Sequence, residues 1–214
     1  MDLYYMAESP PCRTVLMLIE HLNLRVNCIN VDLSKQEQLS QSFLKINHFH
    51  VVPTLVDGDF TLWESRAIVK YLIDKFAPNN QLYPENLQER AKVDQWLYQE
   101  MGIYCLLSSF ISPVFVGKKP DKSGEQRFLD SLDSVNLHME NRKYLALDHL
   151  TIADISFVCS LSLAEACSVD LEKYHNINLW MKRIKSELTY YEKVNSEPMI
   201  NLITFMKDAI ARAQ

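Results

Sequence analysis

Ser9, Cys12 and Arg13 share one short run, Ser9-Pro10-Pro11-Cys12-Arg13, directly after the apolar segment Leu3-Tyr4-Tyr5-Met6. The pattern reads as a strand, a sharp turn and the first turn of a helix. Ser9 is a good N-cap residue, and a proline suits the first helical position because its missing N–H has no helical partner there. A hydroxyl at this place lies beside free backbone N–H groups and the positive end of a helix dipole. Such surroundings suit an anion, a thiolate included. The spacing is that of C-x-x-C with the first cysteine replaced by serine. The turn can therefore hold a thiolate brought by a ligand, and it cannot close its own disulfide.

Three further signals follow along the chain. Val51-Val52-Pro53-Thr54-Leu55 puts a proline just before a strand, where a residue that cannot donate to the ladder belongs. A cis bond there would leave the Val52 backbone free to pair with an extended peptide-like ligand. The plainer reading is a loop proline with no ligand. In Glu64-Ser65-Arg66 the serine falls at a helix start, where N–H groups and a hydroxyl can hold a carboxylate; taken alone, the plainer reading is a simple N-cap. His50 precedes Pro53 by three residues and by itself is an ordinary histidine. The order of the four signals is more specific than any one of them.

The elements that must position these residues change character along the chain. The first part predicts strands over 3–6, 26–31, 54–56 and 60–63, and helices over 11–22, 41–46 and 65–76. Asp57-Gly58-Asp59 is a hairpin signal between the last two strands. Four strands with such helices make a compact α/β unit with a mixed sheet. Residues 78–86, with Pro78, Asn79, Asn80 and Pro84, read as a linker between a domain of 1–77 and one of 87–214. Beyond the linker only helical patterns remain, over 87–117, 122–143, 151–167, 176–188 and 197–212. Thr151-Ile152-Ala153-Asp154 resembles a capping box with Asp for Glu, and Leu150 and Ile155 are placed as its hydrophobic staple.

Composition narrows the function. The 214 residues are 48% hydrophobic and 23% charged, ordinary for a globular protein with a substantial core. The 4 glycines are scattered, so no phosphate-binding glycine loop is available. The net charge is −5 and neither half is basic, which disfavours nucleic acid as a ligand. Cys12, Cys28, Cys105, Cys159 and Cys167 are odd in number with no C-x-x-C pair, as expected of free thiols in a reducing cytosol. No secretory signal is visible at the amino terminus, and the longest weakly polar run, 103–117, is too short and broken to span a membrane. No metal site is expected.

Together with Phe43-Leu44-Lys45-Ile46-Asn47, Leu62-Trp63 before Glu64, and Leu150-Thr151-Ile152-Ala153-Asp154, these motifs cover essentially the whole chain. In combination they resemble the cytosolic glutathione transferases, most closely the insect delta and epsilon classes. The resemblance implies a thioredoxin-like α/β N-terminal domain, an all-α C-terminal domain and a cytoplasmic homodimer. The implied activity is detoxification: glutathione, a co-substrate, is activated as a thiolate and joined to hydrophobic electrophiles. It further implies that Ser9 donates its hydroxyl to the glutathione sulfur. Val52, before a cis Pro53, would pair with the cysteinyl unit, and His50 would reach the glycyl end. Glu64 and Ser65 would hold the γ-glutamyl end, with Arg66 nearby and Glu100 supporting that arginine. Pro11, Leu33, Gln38 and Val51 complete the implied glutathione set.

Two departures stand out. Gln38 replaces a histidine that many delta and epsilon members use against the glycyl carboxylate; it offers a hydrogen bond without positive charge. The acceptor wall, tyrosine-rich in similar enzymes, here reads Tyr104-Cys105-Leu106-Leu107-Ser108-Ser109-Phe110-Ile111-Ser112. The acceptor is expected against Tyr104, Ser108, Ile111, Phe115 and Phe205. These departures keep a second reading open, a non-catalytic carrier of hydrophobic ligands in the same cleft. A thiol-disulfide oxidoreductase is disfavoured, because serine stands where the attacking thiol would be.

Overall fold

The computed structural model describes residues 1–115, 118–200, 202–204 and 206. Its first part runs β1 (Asp2–Tyr5), α1 (Pro10–His21), β2 (Asn27–Asn30), α2 (Gln41–Leu44), β3 (Thr54–Asp57), β4 (Phe60–Trp63) and α3 (Ser65–Phe76). The sheet order is β2-β1-β3-β4, with β1 parallel to β2 and the other neighbours antiparallel. This is the thioredoxin-like mixed sheet. Leu3 of β1 stands opposite both Cys28 and Leu55, and Leu3 and Leu55 are fully buried. Gly58 turns the β3–β4 hairpin at φ +63°, a conformation that L side chains rarely adopt. Two short 3-10 turns, Leu33–Lys35 and Glu37–Leu39, lie where no helical period was expected.

The rest is helical: α4 (Leu87–Phe115), α5 (Lys122–His138), α6 (Ile152–Ala166) and α7 (His175–Glu187). Helix α5 stops short of residue 143; Asn141 sits at φ +61° just beyond its end, and a left-handed residue does not continue a helix. The single helix expected over 197–212 is instead a π-helical turn, Glu192–Ser196, a turn at 197–198, and helical backbone from residue 199. Pro198 lacks an N–H, which favours a fresh helix start beside it over continuation through it. Most of that expected span lies outside the described residues.

Helix α6 is the spine of this part, buried along nearly its whole length. Its start is the expected capping segment. Asp154 Oδ2 accepts from the Thr151 N–H and hydroxyl, each at 2.9 Å, and Oδ1 accepts from the Leu145 N–H and from Trp180 Nε1, each also at 2.9 Å. Burial pushes the Asp154 carboxyl up, and these donors oppose that push. Leu150 and Ile155 both join the core. Helix α6 packs against α1 and α4, which ties the helical part to the helix carrying Ser9.

Candidate active site

A cavity of about 480 Å3 opens where α1, the turns after β2, the loop before β3 and helix α4 meet. Ser9 lies on its wall with Pro10 and Pro11. Ser9 holds the N-cap position of α1 with extended backbone, φ −75° and ψ 121°, yet its hydroxyl makes no capping hydrogen bond. That corrects its reading as a working N-cap. Helix α1 starts at Pro10, so prolines fill its first two positions; that removes the N2 partner and leaves only the N3 N–H of Cys12, which the Ser9 hydroxyl does not engage.

The next wall carries Leu33, Gln38, His50, Val51 and Val52. Asp32 organises the first pair: its Oδ1 accepts from Ser34 N–H at 3.0 Å, and its own N–H donates to Glu37 Oε2 at 2.8 Å. The Ser34 hydroxyl, above all, with Lys35 holds the Asp32 carboxyl down at about 2, so this brace is charged at any neutral pH. Gln38 Oε1 is buried and has no hydrogen-bond partner among the described residues. The loop before β3 is clamped from below by buried Asn47. Its Nδ2 donates to Thr54 Oγ1 at 2.9 Å, its Oδ1 accepts from Phe49 N–H at 3.0 Å, and Thr54 Oγ1 donates to Val51 O at 2.8 Å. Above the clamp His50 takes φ +47°, and the Val52–Pro53 bond is cis. Neither backbone group of Val52 is paired among the described residues.

Glu64, Ser65, Arg66 and Pro53 do not line this cavity. They sit at the β4–α3 junction and the start of β3. Glu64 adopts φ +70° and ψ 105°, outside the left-handed helical well, and such strain concentrates at functional sites. Ser65 begins α3; it is 2% exposed, and its Oγ has no hydrogen-bond partner among the described residues. Arg66 turns away, toward α4. Its Nε donates to Glu100 Oε2 at 3.0 Å and to Leu97 O at 3.1 Å, and its Nη2 also pairs with Glu100. Glu100, 1% exposed, accepts in addition from Ser156 Oγ at 2.8 Å and Ser160 Oγ at 2.5 Å on α6. Residues from both parts of the chain thus hold the start of α3 against the helical part.

The opposite wall is the α4 face carrying Tyr104, Ser108, Ile111, Ser112 and Phe115, spaced as one side of a helix. Met6, Glu8, Leu163 and Leu202 complete the lining. Sequence reasoning missed these four, and it included Ser112 in the acceptor wall without naming it as a contact. The Tyr104–Ser108 spacing extends to Ser112 and could have found it; nothing local marks Leu163 or Leu202. Phe205 lies outside the described residues. Burial, chiefly, pushes the Tyr104 hydroxyl up to about 12, so it stays a donor through neutral pH. Burial likewise raises the thiols of Cys12 and Cys159 to about 11 and that of Cys167 to about 12. These are protonated packing residues, and Cys12 supplies no thiolate to the cleft.

Residues 3–80 match the family model of the glutathione S-transferase N-terminal domain, and residues 95–187 match that of the C-terminal domain. The chain belongs to the glutathione S-transferase family. Among solved structures this transferase is similar to a Nilaparvata lugens delta-class glutathione transferase, at 36% identity over 97% of this chain and 99% of that one, with TM-score 0.92. It is also similar to Drosophila melanogaster isozyme E7, at 34% identity over 98% and 96% with TM-score 0.90. A third is a glutathione transferase homologue from Drosophila mojavensis with bound glutathione, at 33% identity over 97% and 96% with TM-score 0.88. Among the described residues no group of three or more His, Cys, Asp or Glu could hold a metal ion, and no helix is long and apolar enough to cross a membrane.

Proposed function

We propose that this cleft binds glutathione along the first domain and joins its thiol sulfur to an apolar electrophile lying against α4. The observation that carries the reading is the Ser9 hydroxyl, placed at the start of α1 on the cavity wall and making no capping hydrogen bond. The unpaired Val52 backbone and the buried, unpartnered Ser65 hydroxyl support it, since a γ-glutamyl tripeptide offers both a backbone and a carboxylate to match them.

In this reading Ser9 donates a hydrogen bond to the glutathione sulfur and, with the N-terminal end of α1, favours its thiolate form. Ser9 is neither nucleophile nor base. The thiol proton leaves to solvent, the thiolate sulfur bonds to the electrophilic carbon, and the electron pair departs with a leaving group or onto the acceptor. Val52 pairs with the cysteinyl unit. His50 and Gln38 face the glycyl end, with Pro11, Leu33 and Val51 shaping the channel. Glu64 and Ser65 receive the γ-glutamyl end, and Arg66, through Glu100, fixes the start of α3. The apolar wall of Tyr104, Ile111 and Phe115 excludes water from the reacting sulfur, which strengthens the Ser9 contact. The domains divide at 1–77 and 87–214 about a 78–86 linker, and the working unit is a cytoplasmic homodimer.

Retention on immobilised glutathione followed by turnover of an activated aryl halide tests this. Retention with turnover supports conjugation. Retention without turnover of any electrophile in a panel supports a carrier instead, and no retention contradicts the glutathione site itself.

A further inference from the structure

A second cavity, of about 280 Å3, lies between the C-terminal half of α6, α7 and the π-helical turn, and it shares no lining residue with the Ser9 cleft. Its size falls just below the usual range of ligand pockets, so it suits only a small ligand. Ala166, Met199 and Ile203 give it apolar sides, and Lys185 and Glu165 stand on its wall, paired with each other at 2.8 Å. Asn195 forms its polar end. Asn195 is 0% exposed, its Oδ1 accepts from Arg13 Nη1 and from Ser162 Oγ, and its Nδ2, although the Tyr191 side chain on the same wall interacts with Asn195, completes no hydrogen bond of ordinary geometry among the described residues. A short π-helical segment is a frequent mark of a functional site.

What lies behind Asn195 decides the ligand's charge. Arg13 is 0% exposed, and its guanidinium donates to Ser162 Oγ at 2.8 Å, to Cys159 O at 3.2 Å and to Asn195. Every one of these acceptors is neutral. Among the described residues no carboxylate lies within ion-pair distance of Arg13, whereas Arg66 on the neighbouring joint has Glu100. A buried cation without a counter-ion is unfavourable, and burial accordingly pulls the Arg13 pKa down. A neutral acceptor would satisfy Asn195 Nδ2; only an anion would also offset Arg13. Glu165 does not fill this place, since it is engaged by Lys185.

We propose that this cavity is a binding site for a small aliphatic monocarboxylate. Its carboxylate accepts from Asn195 Nδ2, and its short chain lies along Met199 and Ile203.

Hexanoate, hexanol and hexylamine are titrated calorimetrically into the full-length protein, with the Ser9 cleft blocked by saturating S-hexylglutathione. Hexanoate should bind one per chain, roughly tenfold or more tighter than hexanol, as expected of a charge-assisted contact, and hexylamine should not bind. Asn195→Asp keeps the shape but gives Arg13 its own carboxylate; it should abolish hexanoate binding and spare that of hexanol. Ala166→Leu fills the cavity and should remove both while leaving aryl-halide turnover unchanged. The variants are compared without S-hexylglutathione as well, so failure of the glutathione reading does not hide the result. Equal affinity for hexanoate and hexanol, hexanoate binding that survives Asn195→Asp, or no saturation up to roughly 10 mM overturns the proposal.

Discussion

The two walls of the cleft are built by different means. On the glutathione side the backbone does the positioning. His50 and Glu64 hold positive φ, Val52 keeps its peptide groups unpaired, and Asn47 and Asp32 brace the loops from beneath. On the acceptor side one run of α4 presents Tyr104, Ser108, Ile111, Ser112 and Phe115, and residues from α6 and beyond close it. A backbone wall demands particular residue types at each strained or unpaired position. A helix face demands only shape and polarity. Substitutions should therefore act sharply on the first wall and gradually on the second.

The sharpest expected break is at the joint behind the glutathione wall. Glu100→Gln removes the charge that Arg66, Ser156 and Ser160 share. Losing one partner of a buried pair should lower stability by roughly 3–5 kcal/mol, read as a lower urea midpoint at fixed protein concentration. An unchanged midpoint would detach this joint from the fold's stability.

Ser9→Ala should lower kcat with an activated aryl halide by roughly ten- to a thousandfold, since one preorganised donor to an anion is worth about 1.4–4 kcal/mol. Retention on immobilised glutathione should change far less. Ser65→Ala should raise the KM for glutathione several-fold more than it lowers kcat, because the lost contact is common to ground and transition states. Thermal unfolding should barely move, since Ser65 caps nothing here. A fall in stability of about 1 kcal/mol with normal KM would instead make Ser65 a structural residue.

Tyr104→Phe, on the acceptor wall, should alter KM for the electrophile by less than about tenfold, and it should leave the pH–rate profile between pH 6 and 9 unchanged, because the Tyr104 hydroxyl ionises only at about 12. A new basic limb in that range would give Tyr104 a role in proton transfer. The smallest effect belongs to Gln38→His. Its added charge attracts a carboxylate only below the imidazole pKa, ordinarily near 6.5, and the gain is lost as pH rises through that value. Glutathione affinity equal to that of the parent at pH 6 would place position 38 away from the glycyl end.

The same contrast explains what could be read from the chain. Pro53, Gly58, the Asp154 cap and the Ser9 turn are legible because backbone geometry restricts residue choice at those positions. The strand and helix periods behind them were equally clear. Leu163 and Leu202 were not, since a leucine on the cavity wall is chemically the same as one in the core. The 3-10 turns that carry Leu33 and Gln38 have no apolar period; the Asp32 carboxylate shapes the first, and the Glu37 side chain ties the second back to the Asp32 N–H. Ser9 as a capping residue was a natural inference from type; prolines at the first two helical positions leave only the Cys12 N–H within a cap's reach, and the Ser9 hydroxyl does not take it.

The central claim is that the Ser9 hydroxyl stabilises the thiolate of bound glutathione. Its most direct test is a titration of the ultraviolet absorbance of that thiolate in the binary complex of the parent and of Ser9→Ala. The parent should ionise the bound thiol well below the ordinary cysteine value of about 8.5, and the variant should ionise it roughly one to three pH units higher. Superimposable titration curves, with glutathione bound in both, would contradict the claim.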